Sequence, residues 1–314
     1  MSTIGVDVGG TKCLGVVLDD AGDVAAEHRV PTPQSRSGPA LVDAVAEVAR
    51  ELQAGRSDLV GVGVPGIVDR DGVLRFAPNI PGVTELALQA ELARRLGVDV
   101  RIDNDATCAA WAEQRFGAGS GRQHMILVTL GTGIGGGIVI DGRLVRGAHG
   151  FAGEIGHMVV DAVGGLPCPC GQRGCWERYA SGSGLGRLAR EAAHAQQIPH
   201  VVDLAGGDAE AVRGEHVTQA AAEGDPDAQA VMDRFGWWVA LGLANLANAF
   251  DTECFVLGGG LVEAGSILLD PVRAAFLDLV EAAEHRPPVE IVAATLGERA
   301  GAIGAALLAA TPER

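Results

Sequence analysis

Short apolar runs punctuated by glycine and aspartate open the chain. IGVDV (Ile4–Val8), CLGVVLD (Cys13–Asp19) and VAAEHRV (Val24–Val30) are separated by GGTK and by the turn DAGD, which predicts a three-stranded meander. Over Pro39–Gln53 the period changes: Leu41, Val45, Val48 and Leu52 recur at helical spacing. LVGVGVPG (Leu59–Gly66) is apolar on both faces, as a buried parallel strand is. A helix over Thr84–Leu96, a strand VDVRID (Val98–Asp103) and a helix over Ala106–Phe116 complete an α/β domain. After the Gly-rich run Gly117–Gln123, read as a linker, His124–Val145 repeats the opening: strand, glycine turn, strand, tight Asp141-Gly142 turn, strand. The repeat predicts two halves of one architecture facing across a cleft, with domains at 1–117 and 118–297. From Leu185 onward the pattern is helical, interrupted by one apolar strand at CFVLGGG (Cys254–Gly260).

Length and composition fit that picture. The chain has 314 residues, 47% of them hydrophobic, enough for two packed cores. A net charge of −16, with no basic run, argues against a nucleic-acid or anionic-membrane surface. Asp7 interrupts the first apolar run and no basic leader precedes it, so the N-terminus reads as a strand and not a signal peptide. FGWWVALGLANLANAF (Phe235–Phe250) is too short to span a bilayer. A cytoplasmic protein is expected.

Glycine turns between strands let backbone N–H groups converge on an anion. GGTK (Gly9, Gly10, Thr11, Lys12) and LGTG (Gly131, Thr132, Gly133) both offer this, and two equivalent loops favour a polyphosphate over two plain hairpins. Neither is a Walker A loop, and a strand follows LGTGIGGG where a Rossmann turn opens a helix. Gly258, Gly259 and Gly260 follow a strand and read alone as strand-to-helix packing. Asp7 within a buried strand needs a partner or a hydrated cation; it is read as orienting Mg²⁺ beside the phosphates.

Asn104 and Asp105 stand where a strand meets a helix. They read as an N-cap, yet a carboxylate there stays ionised and able to accept a proton. Carboxylates and amides that bridge vicinal hydroxyls suit a sugar, and Asn79, Asn104, Glu154 and Glu177 are of that type. Cys168, Cys170 and Cys175 fall within eight residues of a chain with six cysteines. Three thiols cannot all pair, and a reducing compartment disfavours disulfides, so a metal site is the stronger reading.

LGTGIGGGIVIDGRLVRGAHGFAGEIGH and CPCGQRGCWERYASG, with DVGGTK, GVPG and IDNDA, closely resemble the signature of the ROK family of sugar kinases and repressors, in its glucokinase-like branch. The resemblance implies an α/β, actin-like ATPase fold (ribonuclease H-like, duplicated), with the final helix, here Glu298–Ala309, returning to the N-terminal domain. It implies Asp105 as catalytic base and hexose contacts from Asn79, Asn104, Asp105, Glu154, His157 and Glu177. ATP phosphates would face Gly9–Lys12 and Gly131–Gly133, with Gly258–Gly260 near the adenosine. His157 would complete a structural Zn²⁺ site with the three cysteines, and the protein would be a dimer or tetramer. The expected function is ATP-dependent glucose phosphorylation; kinases of N-acetylated hexosamines or fructose share these motifs. A repressor carries a DNA-binding helix-turn-helix ahead of this region, for which the chain leaves no room. Val83 stands where members often have Trp, next to the Asn79 segment.

Overall fold

The computed structural model describes residues 2–311 apart from 20, 34, 36, 54–58, 78, 79, 81 and 82. In chain order the elements are β1 (Thr3–Val8), β2 (Lys12–Leu18), β3 (Val24–Pro31), α1 (Gly38–Gln53), β4 (Leu59–Val64), β5 (Ile67–Val68), β6 (Leu74–Phe76), β7 (Thr84–Leu86), α2 (Leu88–Leu96), β8 (Asp99–Asn104) and α3 (Asp105–Phe116). There follow β9 (Met125–Leu130), β10 (Ile134–Ile140), β11 (Arg143–Leu144), α4 (Glu177–Ala180), α5 (Gly182–His194), α6 (Pro199–Leu204) and α7 (Gly214–Ala222). The chain ends with α8 (Pro226–Phe250), β12 (Cys254–Gly258), α9 (Ser266–Leu279), β13 (Glu290–Ala293) and α10 (Ala300–Ala310).

One sheet has the order β3-β2-β1-β4-β8 and a second has β11-β10-β9-β12-β13. The same rule builds both: the first strand of each half is central, its next two lie in turn on one side and the later two on the other. β1, β2 and β3 run antiparallel, whereas β1, β4 and β8 are parallel. The duplication expected from the repeated glycine turns is therefore present.

The chain divides into two compact units. The first comprises Met1–Leu127, Gly136–Gly153 and Thr295–Arg314, so the Gly-rich run 117–123 lies inside it. The second comprises Val128–Gly135 and Glu154–Ala294. In the first unit, one face of the sheet packs α1 and α2 through Leu41, Val45, Val48, Leu88 and Leu92, all buried. α10 (AGAIGAALLAA) lies directly on strand backbone: a Cβ on Gly5 would be 1.9 Å from the Ala302 carbonyl oxygen, and one on Gly61 would be 1.8 Å from that of Ala305. In the second unit α8, N-capped by Asp225 and started by Pro226, carries Phe235, Val239 and Leu243 into the core.

Two expectations are corrected. Thr84–Leu86 is not the start of a helix: these residues pair with β6 as strand β7, Glu85 has φ 53°, and the helix begins at Leu88. The C-terminal helical region also contains a second strand, β13, parallel to β12. Its four residues are too short for periodicity to separate them from a helix.

The seat of α10 yields a stability prediction. Gly61→Ala forces backbone apart and should destabilise by about 1–3 kcal/mol. Gly10→Ala, where a Cβ meets nothing within 4 Å, should leave the melting temperature unchanged. Equal melting curves for the two variants would show that α10 tolerates displacement.

Candidate active site and metal-ligating cluster

In the first unit, three adjacent elements bring two carboxylates together. Asp7 lies opposite Gly63 in the β1–β4 pairing, and Gly63 lies opposite Asp103 on β8, just before α3 begins at Asp105. A Cβ on Gly63 would be 3.4 Å from Asp105 Cα and 3.5 Å from Asp7 Oδ1, so the glycine leaves the space the two acids share. Gly301 of α10 closes the other side, its Cβ position 2.6 Å from the Asp7 carboxyl group.

The two acids have different surroundings. Burial, then the negative charge of Asp105, push Asp7 up to about 8 from its ordinary 3.8, against the opposing pull of Lys12. Burial also raises Asp105, but the Ala106 backbone N–H donates to its Oδ1 at 2.8 Å and favours the ionised form. Asn104 is the helix cap: its Oδ1 accepts from Thr107 N at 3.0 Å and its Nδ2 donates to the Gly66 carbonyl at 3.2 Å.

Gly9–Lys12 forms the turn between β1 and β2, closed by Gly9 N donating to the Lys12 carbonyl at 2.9 Å. Thr32 braces it, donating its hydroxyl to the Gly9 carbonyl at 2.7 Å. Lys12 forms an ion pair with Glu298, which also meets Arg29 at 3.2 Å. Asn79 lies outside the described residues.

In the second unit Cys168, Cys170, Cys175 and His157 present ligand atoms that all lie within 4.8 Å of one another. Cys170 and Cys175 sulfurs are 3.6 Å apart, close to the roughly 3.8 Å edge of a tetrahedron with 2.3 Å zinc–sulfur bonds. His157 Nδ1 is 3.8 Å from Cys168 Sγ, and Nε2 faces Glu154 Oε2 at 3.9 Å. No cysteine is in a disulfide. Burial holds the thiols of Cys168 and Cys175 above the ordinary thiol range, and a bound cation would reverse that. The donor set fits a closed tetrahedral zinc.

The loop carrying these thiols is fixed by turns and by its neighbours. Gly171 N donates to the Cys168 carbonyl at 3.0 Å, and Gly174 has φ 76° with the Asp161 carbonyl 2.0 Å from its Cβ position. Tyr179 donates its hydroxyl to Asp161 at 3.0 Å and accepts from Leu166 N at 2.9 Å. Trp176, fully buried, donates Nε1 to the Trp238 carbonyl at 2.7 Å and sits over Gly242, whose Cβ would be 2.0 Å from the ring. Glu177 follows at the start of α4. Its Oε1 is 3.9 Å from His157 Nδ1 and accepts from the Cys168 thiol at 3.1 Å, while its Oε2 lies 2.7 Å from the Gly133 Cβ position.

The Gly131–Gly133 turn thus lies beside Glu177. Gly131 N donates to the Gly133 carbonyl at 3.0 Å, and Gly182 N, at the start of α5, donates to the Gly131 carbonyl at 2.7 Å. The Cβ position of Gly259 (φ 84°) is 2.5 Å from the Leu130 carbonyl, which brings Gly258–Gly260 to the same turn. Thr132 accepts at its carbonyl from the Ser183 hydroxyl.

Residues 3–311 match the family model described as the ROK family. The chain belongs to the ROK family. This ROK protein is similar to the glucokinase of Streptomyces coelicolor, 42% identical over 317 residues covering 99% of this chain and 98% of that one. It is also similar to the glucokinase of Thermotoga maritima, 37% identical over 98% of this chain and 96% of the other. The structure of a ROK family glucokinase from Streptomyces griseus in complex with glucose and AMPPNP superposes with a TM-score of 0.87, at 40% identity over 99% of both chains. The fold class is that of the actin-like ATPases, mixed sheets with helices, as the sequence resemblance implied.

Sequence reading missed the residues that only position others. Glu113 is fully buried on α3 and accepts from Ala118 N, Thr295 N and Leu296 N at 2.8–2.9 Å. Asp103 accepts from Arg146 Nε at 2.8 Å. A charged residue within an otherwise apolar helix face, as Glu113 is among Ala109, Ala110 and Ala112, was the available signal.

The raised Asp7 sets a pH dependence. With neither nucleotide nor metal bound, the folded state holds a proton that the unfolded state releases between 3.8 and about 8, so stability falls as pH rises through that window. Asp7→Asn should flatten the profile and raise the melting temperature most at and above about pH 8. Parallel profiles for wild type and variant would place the proton on another group.

Proposed function

We propose that this ROK protein is an ATP-dependent hexose kinase that phosphorylates the 6-hydroxyl of glucose. The observation that carries the reading is Asp105: a half-buried carboxylate at a helix start, raised by burial and drawn back towards the ionised form by the Ala106 N–H. That is the environment of a general base working near neutral pH. The similarity to glucokinases over nearly the whole chain supports glucose as the acceptor.

In the reaction Asp105 takes the proton of the sugar's 6-hydroxyl as that oxygen bonds to the γ-phosphorus; the bond from phosphorus to the β,γ-bridging oxygen breaks and ADP leaves. Glu154, His157 and Glu177 orient the sugar through its hydroxyls. Asn104 contributes its remaining amide hydrogen, since its oxygen is committed to Thr107, and we assign Asn79 to the same set. The N–H groups of Gly9–Lys12 and Gly131–Gly133 receive the phosphates, and Gly258–Gly260 lies by the adenosine. Lys12 must exchange Glu298 for a phosphate oxygen. Bound Mg²⁺ neutralises phosphate charge, and Asp7 is the carboxylate that would orient it. His157, Cys168, Cys170 and Cys175 would hold Zn²⁺, which would keep the loop that ends in Glu177 in place.

Two measurements test this reading. Asp105→Asn, which keeps an oxygen for the Ala106 N–H, should lower kcat by about 10²–10⁴ with the melting temperature retained. Full activity would leave Asp105 a structural residue. A hexose panel with Mg-ATP should give glucose the highest kcat/KM; a higher value for N-acetylmannosamine or fructose would move the substrate, and no ADP release with any hexose would sink the kinase reading.

The zinc assignment has its own test. Purified protein should contain one zinc per chain, and Cys170→Ser should lose it, since serine is a poor ligand for this metal. Glucose KM should then rise about tenfold or more while ATP binding changes much less. Lower thermal stability with an unchanged KM would reduce the cluster to a loop staple.

A further inference from the structure

A second concave site lies wholly within the first unit, a cavity of about 960 Å³. It is lined by Arg70, Arg101, Arg115, Arg143 and Arg146, a concentration of positive charge in a chain whose net charge is −16. Four aspartates share the lining, two of them already engaged: Asp103 by Arg146 at 2.8 Å and Asp69 by Arg75 at 2.6 Å. Asp141 faces His124 Nε2 at 3.4 Å, Arg70 donates to the Gly147 carbonyl at 2.5 Å, and Asp71 and Arg143 share the same lining. The local surface therefore favours an anion while offering carboxylates that accept from hydroxyls.

Gln114 supplies an independent observation. It lines the same cavity and is 6% exposed; its Nε2 donates to the Arg122 carbonyl at 3.2 Å, and its Oε1 is buried with no donor. A buried acceptor left unmet is costly, and a small turn of the side chain towards the cavity would let a ligand O–H meet it. A bare phosphate carries an O–H only on the group that the arginines hold, whereas a sugar phosphate carries hydroxyls well away from its phosphate. A nucleobase would want an open aromatic face, but Trp111 is buried and Arg115 covers its ring at 4.1 Å.

We propose that this cavity binds a phosphorylated sugar, its phosphate on the arginines around Arg143 and a hydroxyl donating to Gln114 Oε1. Only the choice of glucose 6-phosphate as probe rests on the proposed kinase activity. The site is distinct from the Asp7–Asp105 pair, although α3 carries Asp105 at its start and Gln114 near its end.

The test is calorimetric titration of glucose 6-phosphate into the full chain saturated with glucose and AMPPNP. One further equivalent should bind, with inorganic phosphate markedly weaker. Arg143→Ala, on the exposed rim, should weaken it about tenfold. Gln114→Met should weaken it by a similar factor, while Arg143→Ala leaves kcat and glucose KM unchanged. No further equivalent, equal affinity for inorganic phosphate, or unchanged binding in Arg143→Ala would each overturn the proposal. The preliminary titration with glucose and AMPPNP reports separately on the kinase reading, so the two can fail independently.

Discussion

The close approach of α10 to bare strand backbone is the constraint on which the first unit depends. Four glycines make it: Gly5 and Gly61 on the strands, Gly301 and Gly304 on the helix. A Cβ on Gly304 would be 1.7 Å from the Cys108 carbonyl, so α10 is pressed against α3 as well as against the sheet. Because interiors resist compression, the helix position fixes three things together: the strand carrying Asp7, the helix carrying Asp105, and the space between them. Glu113 reinforces the arrangement by collecting N–H groups from the segment after α3 and from the segment leading into α10. These hydrogen bonds tie two distant parts of the chain to one helix.

The second unit solves a similar positioning problem with side chains. Cys175, Trp176 and Glu177 are consecutive, so a ligand atom, a buried anchor and an exposed-edge carboxylate share one short stretch of backbone. Trp176 fits only because Gly242 has no side chain, and Tyr179 stacks on Trp238 at 4.4 Å one turn later. A metal on the thiolates would add a third restraint at the opposite end of the loop. Without the Trp–Gly packing it would organise a loop that could still swing as a body. Together with the Trp–Gly packing, such a metal would aim Glu177.

Much of this was legible in the sequence because it is written in local patterns. The repeated strand–glycine–strand runs announced the duplicated sheets, and the Cys168–Cys175 spacing announced a cluster that the structure does bring together with His157. What escaped was set by contacts remote in sequence. Thr84–Leu86 reads as helix locally, yet pairing with β6 makes it a strand. Gly61 and Gly304 look like permissive residues, though neither has a positive φ; they are glycine because backbone passes within van der Waals distance. Lys12 was assigned to phosphate from its loop, and its ion pair with Glu298 spans nearly the whole chain. Spacing along a sequence carries no information about such partners.

Asp7 and Asp105 are neighbouring acids whose surroundings act on them differently. Like charges in a shared buried space cannot both ionise freely, and the environment decides which yields. Asp7 sits within a strand, and the Asp105 charge adds to its desolvation. Asp105 stands at a helix N-terminus, where a backbone N–H and the helix dipole stabilise the anion. Burial holds both acids above the ordinary carboxylate range, and the Ala106 N–H draws Asp105 back towards the ionised form. A cation held beside Asp7 would favour its ionised form and offset the negative charge added next to Asp105. The two acids share one electrostatic space, so the charge on Asp105 bears directly on the ionisation of Asp7.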